Sequence, residues 1–296
     1  MKRLYLIHSL TSVHIGSGSG TGFIDLPVVR EATTGWPFAP GSAIKGVMAD
    51  HHQASDAANR AGRLKMAFGT AGDEHASAGS LVFTDARLLC LPVRSLYGTF
   101  AWVTSRLALQ RWLRDLREAG KAPAAPALPT VGGDGAATQA LNATGTVLKL
   151  PSGKVVLQDL ELPSTDNPAA TSWATHLATL LFPQNQDGWK SEFVKRFVVV
   201  PDGVFDFLSE TAMEVNAHIR LKAESKTVDG GALWYEESWP AETIVSGIVW
   251  CDRVVGGGPQ DTQAALLDTY CAGEKSLQIG GKAGTGKGRV RMVFCS

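Results

Sequence analysis

The chain is short of the features that mark several large protein classes. It has four cysteines in 296 residues, and Cys90, Cys251, Cys271 and Cys295 are too widely spaced to make a metal-type pair. That argues against a disulfide framework and for reduced thiols in the cytosol. The histidines are scattered apart from His51 and His52, and no HExxH zinc pattern occurs. No apolar run reaches the roughly 18–20 residues that cross a bilayer, so no membrane partner is expected. The start, Met-Lys-Arg-Leu-Tyr-Leu-Ile-His, lacks a long apolar core and a small-residue cleavage site, so it does not read as a secretory signal. A cytoplasmic location is expected. Net charge is lacking too: 28 basic residues balance 28 acidic ones.

What the chain has is glycine, concentrated in two loops near its ends. One is His14-Ile-Gly-Ser-Gly-Ser-Gly-Thr-Gly22; the other runs from Ile279 through Gly280, Gly281, Lys282, Gly284, Gly286 and Lys287 to Arg289. Each follows a short apolar stretch that reads as a strand. Glycine tolerates positive φ and close approach of the backbone to a ligand, and successive N–H groups in such loops make a concavity that suits phosphate. Charge distribution points the same way. Residues 1–24 and 275–296 contain no acid, and the second stretch carries Lys275, Lys282, Lys287, Arg289 and Arg291. For a polyanionic ligand, the distribution of charge matters more than its total. The plainer alternative is that both loops only join strands.

Periodicity predicts a strand over 3–15, a helix capped by Ser42 and starting at Ala43, and strands near 79–91, 96–103, 155–162 and 197–200. Helices are expected over 106–118, from 201, and over 262–270. A long hairpin is expected over 215–237, and strands at 242–250, 276–279 and 289–294. Residues 119–146, rich in Ala, Pro and Gly, read as a flexible insertion. The order suggests an α+β fold with a mainly antiparallel sheet, for which a ferredoxin-like split βαβ is a fit. Such a sheet lets the first and last strands lie close, bringing the two glycine loops together.

The terminal loop nearly matches a P-loop through Gly281, Gly286 and Lys287, but Gly288 replaces the hydroxyl residue and a strand follows where a helix is required. The first loop lacks both the spacing and the helix of a dinucleotide fingerprint. Asp25 is the first acid of the chain, directly after a phosphate-friendly loop. It suits a metal ligand near a phosphate or a base for a ribose hydroxyl; equally, it suits a local turn or a pair with Arg30. His14 suits phosphate contact, acid–base work or simple capping of the strand. Lys45, in the first turn of a helix, opposes the helix dipole and suits phosphate, or is an ordinary solvated lysine. His218, Arg220, Lys222, Trp234 and Tyr235 put basic and aromatic groups on the hairpin, a pattern suited to single-stranded RNA or to a packing interface.

Taken in order, these segments resemble the RAMP superfamily and, within it, the repeating backbone subunits of type III-B CRISPR (Cmr) effector complexes. The resemblance is carried by His14-Ile-Gly-Ser-Gly18, Ile24-Asp-Leu-Pro27, Pro40-Gly-Ser-Ala-Ile-Lys-Gly46, Leu81-Val-Phe-Thr-Asp-Ala-Arg87, the segment Pro92 to Val103 and the terminal loop. It implies a single domain over 1–296 with an RRM-like core and an inserted thumb hairpin at about 215–237. It implies antiviral defence by a filament of copies with other Cmr subunits, binding a guide RNA and cleaving complementary target RNA at regular intervals. That activity is a metal-dependent endoribonuclease, with magnesium or manganese as cofactor. The alternative within the superfamily is a guide-binding scaffold without cleavage. Asp25 matches the catalytic aspartate and is the candidate metal ligand. His14, Tyr235 and Glu236 fall where relatives have residues affecting cleavage. Ser42, Lys45, Arg220, Lys222, Gly280, Gly281, Lys282, Gly284, Gly286, Lys287 and Arg289 match or adjoin RNA contacts. Ala43 stands where the pattern has a larger residue, and Lys45 stays in register.

Overall fold

The first strand, Lys2–Ser9, is apolar on both sides, and alternation sends its side chains into two separate cores. Tyr5 and Ile7 enter one with Ile44 and Met48 of the helix Gly41–Ser55. Leu4 and Leu6 enter the other with Leu109 and Trp112 of the helix Arg106–Glu118 and Trp173 of the helix Pro168–Leu181. The result is a sheet with helices on both faces. This computed structural model describes all residues except 21, 56–61, 71–76, 121–124, 133–137, 185–187, 223, 226–227 and 296.

Lys2–Ser9 pairs antiparallel with Arg289–Cys295 on one side and with Ile244–Cys251 on the other. Ile244–Cys251 in turn pairs antiparallel with Ala86–Arg94. Beyond these the sheet continues through Phe100–Ser105, Phe197–Val200, Ala140–Asn142, Leu160–Asp166 and Lys154–Leu157, while Glu274–Gln278 borders Arg289–Cys295. Two pairings are parallel: Phe197–Val200 with Phe100–Ser105, and Leu160–Asp166 with Ala140–Asn142. The sheet is therefore mixed, with most of its pairings antiparallel as expected. Phe197–Val200 is reached through the helices Pro168–Leu181 and Trp189–Arg196, and crossovers of this kind permit parallel pairing.

Several boundaries move for local reasons. The strand expected from 96 starts at Phe100, because Gly98 and Thr99 turn the chain with positive φ. The strand expected over 155–162 folds back at Gln158 (φ 50°) into two. The expected insertion at 119–146 ends in the buried strand Ala140–Asn142. Its described middle is docked as well: Trp173 Nε1–H donates to Ala127 O at 2.8 Å, and Leu128 and Val131 pack on the second core. Ser42 is not a cap. The helix already includes Gly41, whose N–H is held by Asp85 Oδ1 at 2.8 Å, and Ser42 is exposed in the first turn. Cys90, Cys251 and Cys271 are buried free thiols. Among the described residues, no helix is long and apolar enough to cross a membrane.

The hairpin comprises Glu214–Leu221 and Val228–Ser238, antiparallel, with His218 opposite Trp234 and an irregularity between Ile219 and Leu221. It forms a sheet of its own. At its base, Val13 bridges Trp239 and Leu26 bridges Glu236, which joins it to the first glycine loop.

Candidate functional site

The two glycine loops do meet. His14 bridges Gly281, and His14 O accepts the Gly281 N–H at 2.9 Å. The neighbouring Gly280 must be glycine twice over: its φ is +85°, and a Cβ there would collide with His14 O. The terminal loop is closed by Ile279 N–H to Gly288 O, and Gly288 N–H reaches Ser12 O, each at 2.8 Å. Inside it, Ala283–Thr285 forms one short 3-10 turn, followed by the strand Arg289–Cys295. No helix opens here, so the nucleotide-hydrolysing reading of Gly281, Gly286 and Lys287 falls away.

Past the first loop, the chain runs beside the returning hairpin strand. Leu26 N–H donates to Tyr235 O and Glu237 N–H to Leu26 O, both at 3.0 Å. Pro27 has no N–H, so the pairing stops there, and Val28 N–H is taken instead by the Glu237 carboxylate at 2.9 Å. This fixes Asp25. Its Oδ2 accepts the Tyr235 N–H at 2.8 Å, and its carbonyl accepts the Gly20 N–H at 2.8 Å. The carboxylate is exposed and opens on a pocket of about 290 Å³ lined by Ser19, Gly20, Leu26, Arg220, Trp234 and Lys282. Asp25 does not pair with Arg30: that guanidinium is taken by Glu237. One exposed carboxylate between two cations can accept a proton or share a cation with a bound anion.

Tyr235 and Glu236 are adjacent but face different tasks. The Tyr235 ring stacks on Phe23. The Glu236 side chain is 1% exposed and sits between two ammonium groups, Lys287 Nζ at 2.7 Å and Lys282 Nζ at 3.2 Å. Burial alone pushes its carboxyl up; the hydrogen bonds and charges of Lys287 and Lys282 more than offset this and hold it below the usual carboxylate range. Lys287 also donates to Ser238 Oγ at 2.8 Å and is only 11% exposed. One of the three cations that the terminal loop was expected to offer phosphate, Lys287, is thus spent inside the protein. Lys282 is 37% exposed and faces both Glu236 and the Asp25 pocket.

Other expected residues lie apart from this group. Lys222 is exposed beyond the hairpin irregularity. Arg289 is exposed, and its backbone is tied to Thr11 and Leu10. Gly284 and Gly286 sit on the exposed outer side of the terminal loop. Ser42 and Lys45 stand on the helix Gly41–Ser55, with no hydrogen bond or ion pair joining them to Asp25 among the described residues. Burial lowers the Lys45 pKa, and no acidic partner among the described residues opposes that. A half-buried, unpaired ammonium is what an incoming anion would complete.

Comparison with known proteins gives this arrangement a family. The model of the RAMP superfamily matches residues 6–291. The chain belongs to the RAMP superfamily. The sequence is 31% identical to the CRISPR system Cmr endoribonuclease Cmr4 of Pyrococcus furiosus, over 99% of this chain and 96% of that protein. It is 24% identical to the CRISPR system CMR subunit Cmr4 of Saccharolobus solfataricus, over 97% and 94%. Among solved structures, oligomeric Cmr4 from Pyrococcus furiosus superposes with a TM-score of 0.74 at 25% identity, over 99% of this chain and 97% of that one. A chain of the type III-B Cmr-beta complex bound to cognate target RNA shares the fold, with a TM-score of 0.75 at 18% identity over 99% and 97%.

In this RAMP protein the donor set around Asp25 limits what metal it can hold. Among the described residues, no three His, Cys, Asp or Glu side chains gather as a metal cage. Asp25 brings one carboxylate with one oxygen already accepting an N–H. That suits a magnesium-type ion shared between one carboxylate and substrate phosphates, and does not suit a closed structural site. Sequence reasoning missed Glu237, which holds Val28 and Arg30 with its side chain and receives the His14 Nδ1–H on its carbonyl at 2.6 Å. A carbonyl can only accept, so Nδ1 carries the proton and His14 is a buried brace between loop and hairpin. The only signal for Glu237 was its place beside Glu236.

Proposed function

We propose that this chain is the repeating backbone subunit of a type III-B CRISPR (Cmr) effector complex, binding guide RNA and cutting the complementary target RNA at regular intervals. Full-length similarity to a Cmr endoribonuclease supports the reading. The observation that carries it is the exposed Asp25 carboxylate, fixed by the Tyr235 N–H and flanked by Arg220 and Lys282. The four strands around Lys2–Ser9 run in the order last, first, third, second, all antiparallel, which is the order of a ferredoxin-like, RRM-like core. On this reading residues 1–296 are one domain, and the hairpin is a thumb reaching into the guide–target duplex. The guide backbone lies along Lys45, Ser42 and the terminal loop. Copies of the chain, other Cmr subunits and both RNAs are its partners, in the cytoplasm.

In the reaction, a ribose 2′-oxygen bonds to the adjacent phosphorus and the bond to the 5′-oxygen breaks, leaving a cyclic phosphate and a free hydroxyl end. Asp25 accepts the 2′-hydroxyl proton, and the leaving oxygen takes one from water. Arg220 and Lys282 donate to the phosphate oxygens as charge develops. Glu237 and His14 keep the Asp25 segment and the terminal loop in register. Asp25 is the residue that would hold a magnesium or manganese ion, which would supply Lewis-acid stabilisation of that charge.

The test uses the assembled complex with guide and target RNA. Asp25→Asn should slow cutting by about 10²- to 10⁴-fold, the usual worth of a proton-transfer group, with RNA binding and assembly retained. A chelator should stop the wild type. Cutting at the wild-type rate by Asp25→Asn overturns the assignment; a wild type that binds but never cuts marks a scaffold instead.

A further inference from the structure

Phe23 has no place in a loop of small residues unless something uses it. It is 77% exposed, two positions before Asp25, in a chain that buries most of its large apolar side chains. Its ring is nevertheless held: it stacks on Tyr235 with centroids 4.8 Å apart and planes at 29°. The backbone N–H of that same Tyr235 holds the Asp25 carboxylate. One face of Phe23 is thus covered by a ring tied to the candidate catalytic group, and the other is open to solvent. Two residues on, Asp25 opens on a pocket lined by Arg220, Trp234 and Lys282. A flat open ring, joined through Tyr235 to a carboxylate whose pocket carries two cations, matches a nucleotide: base on the ring, phosphate on the cations.

We propose that Phe23, backed by Tyr235, is a stacking ledge for one unpaired RNA base beside the phosphate that is cut, and so a positioning residue for cleavage. This rests on the endoribonuclease reading above. The ledge gives the loop a second task besides leading to Asp25. It holds the base so that the neighbouring ribose and phosphate lie over the carboxylate. An unpaired base is favoured over a paired one, because only an unstacked base can offer its face to a side chain.

The experiment uses the full complex and target RNAs with 2-aminopurine placed in turn at each position flanking a cut site. Wild type and Asp25→Asn should both quench the probe at one position per site. Phe23→Ala should lose that quenching and slow cutting by about ten- to a hundredfold, with little change in RNA affinity. Phe23→Trp should restore both, and Phe23→Leu neither. The ledge is overturned if Phe23→Ala keeps rate and quenching, or if Phe23→Leu does as well as Phe23→Trp. It is also overturned if Phe23→Ala breaks the complex into smaller species on a sizing column, which would make the ring a contact between copies. Normal cutting by Asp25→Asn would sink the function reading instead, and the quenching would still judge the ledge.

Discussion

The first glycine loop, residues 14–22, and the terminal loop, residues 279–289, share a composition but not a charge economy. The terminal loop brings Lys282 and Lys287, yet both ammonium groups lean on the buried Glu236, and Lys287 turns fully inward. The first loop contains no Lys, Arg, Asp or Glu, and leads to Asp25, which stays exposed. A loop that reads as a phosphate clamp is therefore partly a structural brace. The other loop, which reads as phosphate-friendly too, leads to an exposed carboxylate. Lys282 belongs to both sides of the comparison, since it touches Glu236 and lines the Asp25 pocket.

The largest stability effect that tests this contrast is expected at Glu236. Removing its charge leaves Lys287 buried and unpaired, which typically costs about 3–5 kcal/mol. Glu236→Gln should show this in urea unfolding, while Lys222→Gln, on the exposed part of the hairpin, should not. The pH dependence has a definite sign. The folded Glu236 carboxyl lies below its ordinary value, so its contribution is fully present above the normal carboxylate range. It is lost as pH falls through the lowered value. The groups facing it are Lys287 and Lys282, and Glu214 in turn feels Lys287 and is itself raised, chiefly by burial. Glu236→Gln should therefore flatten the acid side of the stability profile. An unchanged midpoint would mean that Lys287 is free to serve RNA, and the two loops would no longer differ.

How much of this could be read from the sequence depends on range. The hairpin over 215–237 and the meeting of the two loops were legible, because each rests on local spacing or on the first and last strands being neighbours. The partner of a charge was not. Arg30 was weighed as a partner for Asp25, but the hairpin sets Glu237 beside it from far along the chain. Nothing in local periodicity distinguishes Glu236 as a lysine brace from Glu236 as a catalytic acid. The second core was hidden for a similar reason. Trp102, Trp112 and Trp173 come from three separate elements, and the helix Pro168–Leu181 that carries Trp173 has an apolar side that only the sheet explains. Ala140–Asn142 is too short to announce itself, and its glycine-rich approach looked like an insertion.

A smaller effect separates glycines that hold the loops together from those that only face outward. Gly280→Ala places a methyl group on His14 O at a φ of +85°. Strain of this kind costs about 1–3 kcal/mol, and it falls on the contact between the loops. The variant should melt earlier, and cutting should weaken along with stability, because His14 and Glu237 position the Asp25 segment. A variant as stable as wild type would mean that the loops are joined by other contacts and that the Gly281–His14 bond is incidental.

Gly284 should give the smallest stability effect and the cleanest reading. It lies in the short turn Ala283–Thr285, is exposed, and a Cβ there would meet nothing within 4 Å. Gly284→Ala should leave stability within about 0.5 kcal/mol, as for an ordinary surface change. If the outer side of the terminal loop carries the guide backbone, the added methyl enters space that RNA occupies, and guide affinity should fall while the melting curve stays put. Filter binding of guide RNA beside thermal unfolding separates the two quantities. Unchanged affinity would confine the role of the terminal loop to bracing Glu236 and presenting Lys282, and would leave RNA contact on this edge to the side chains around Asp25.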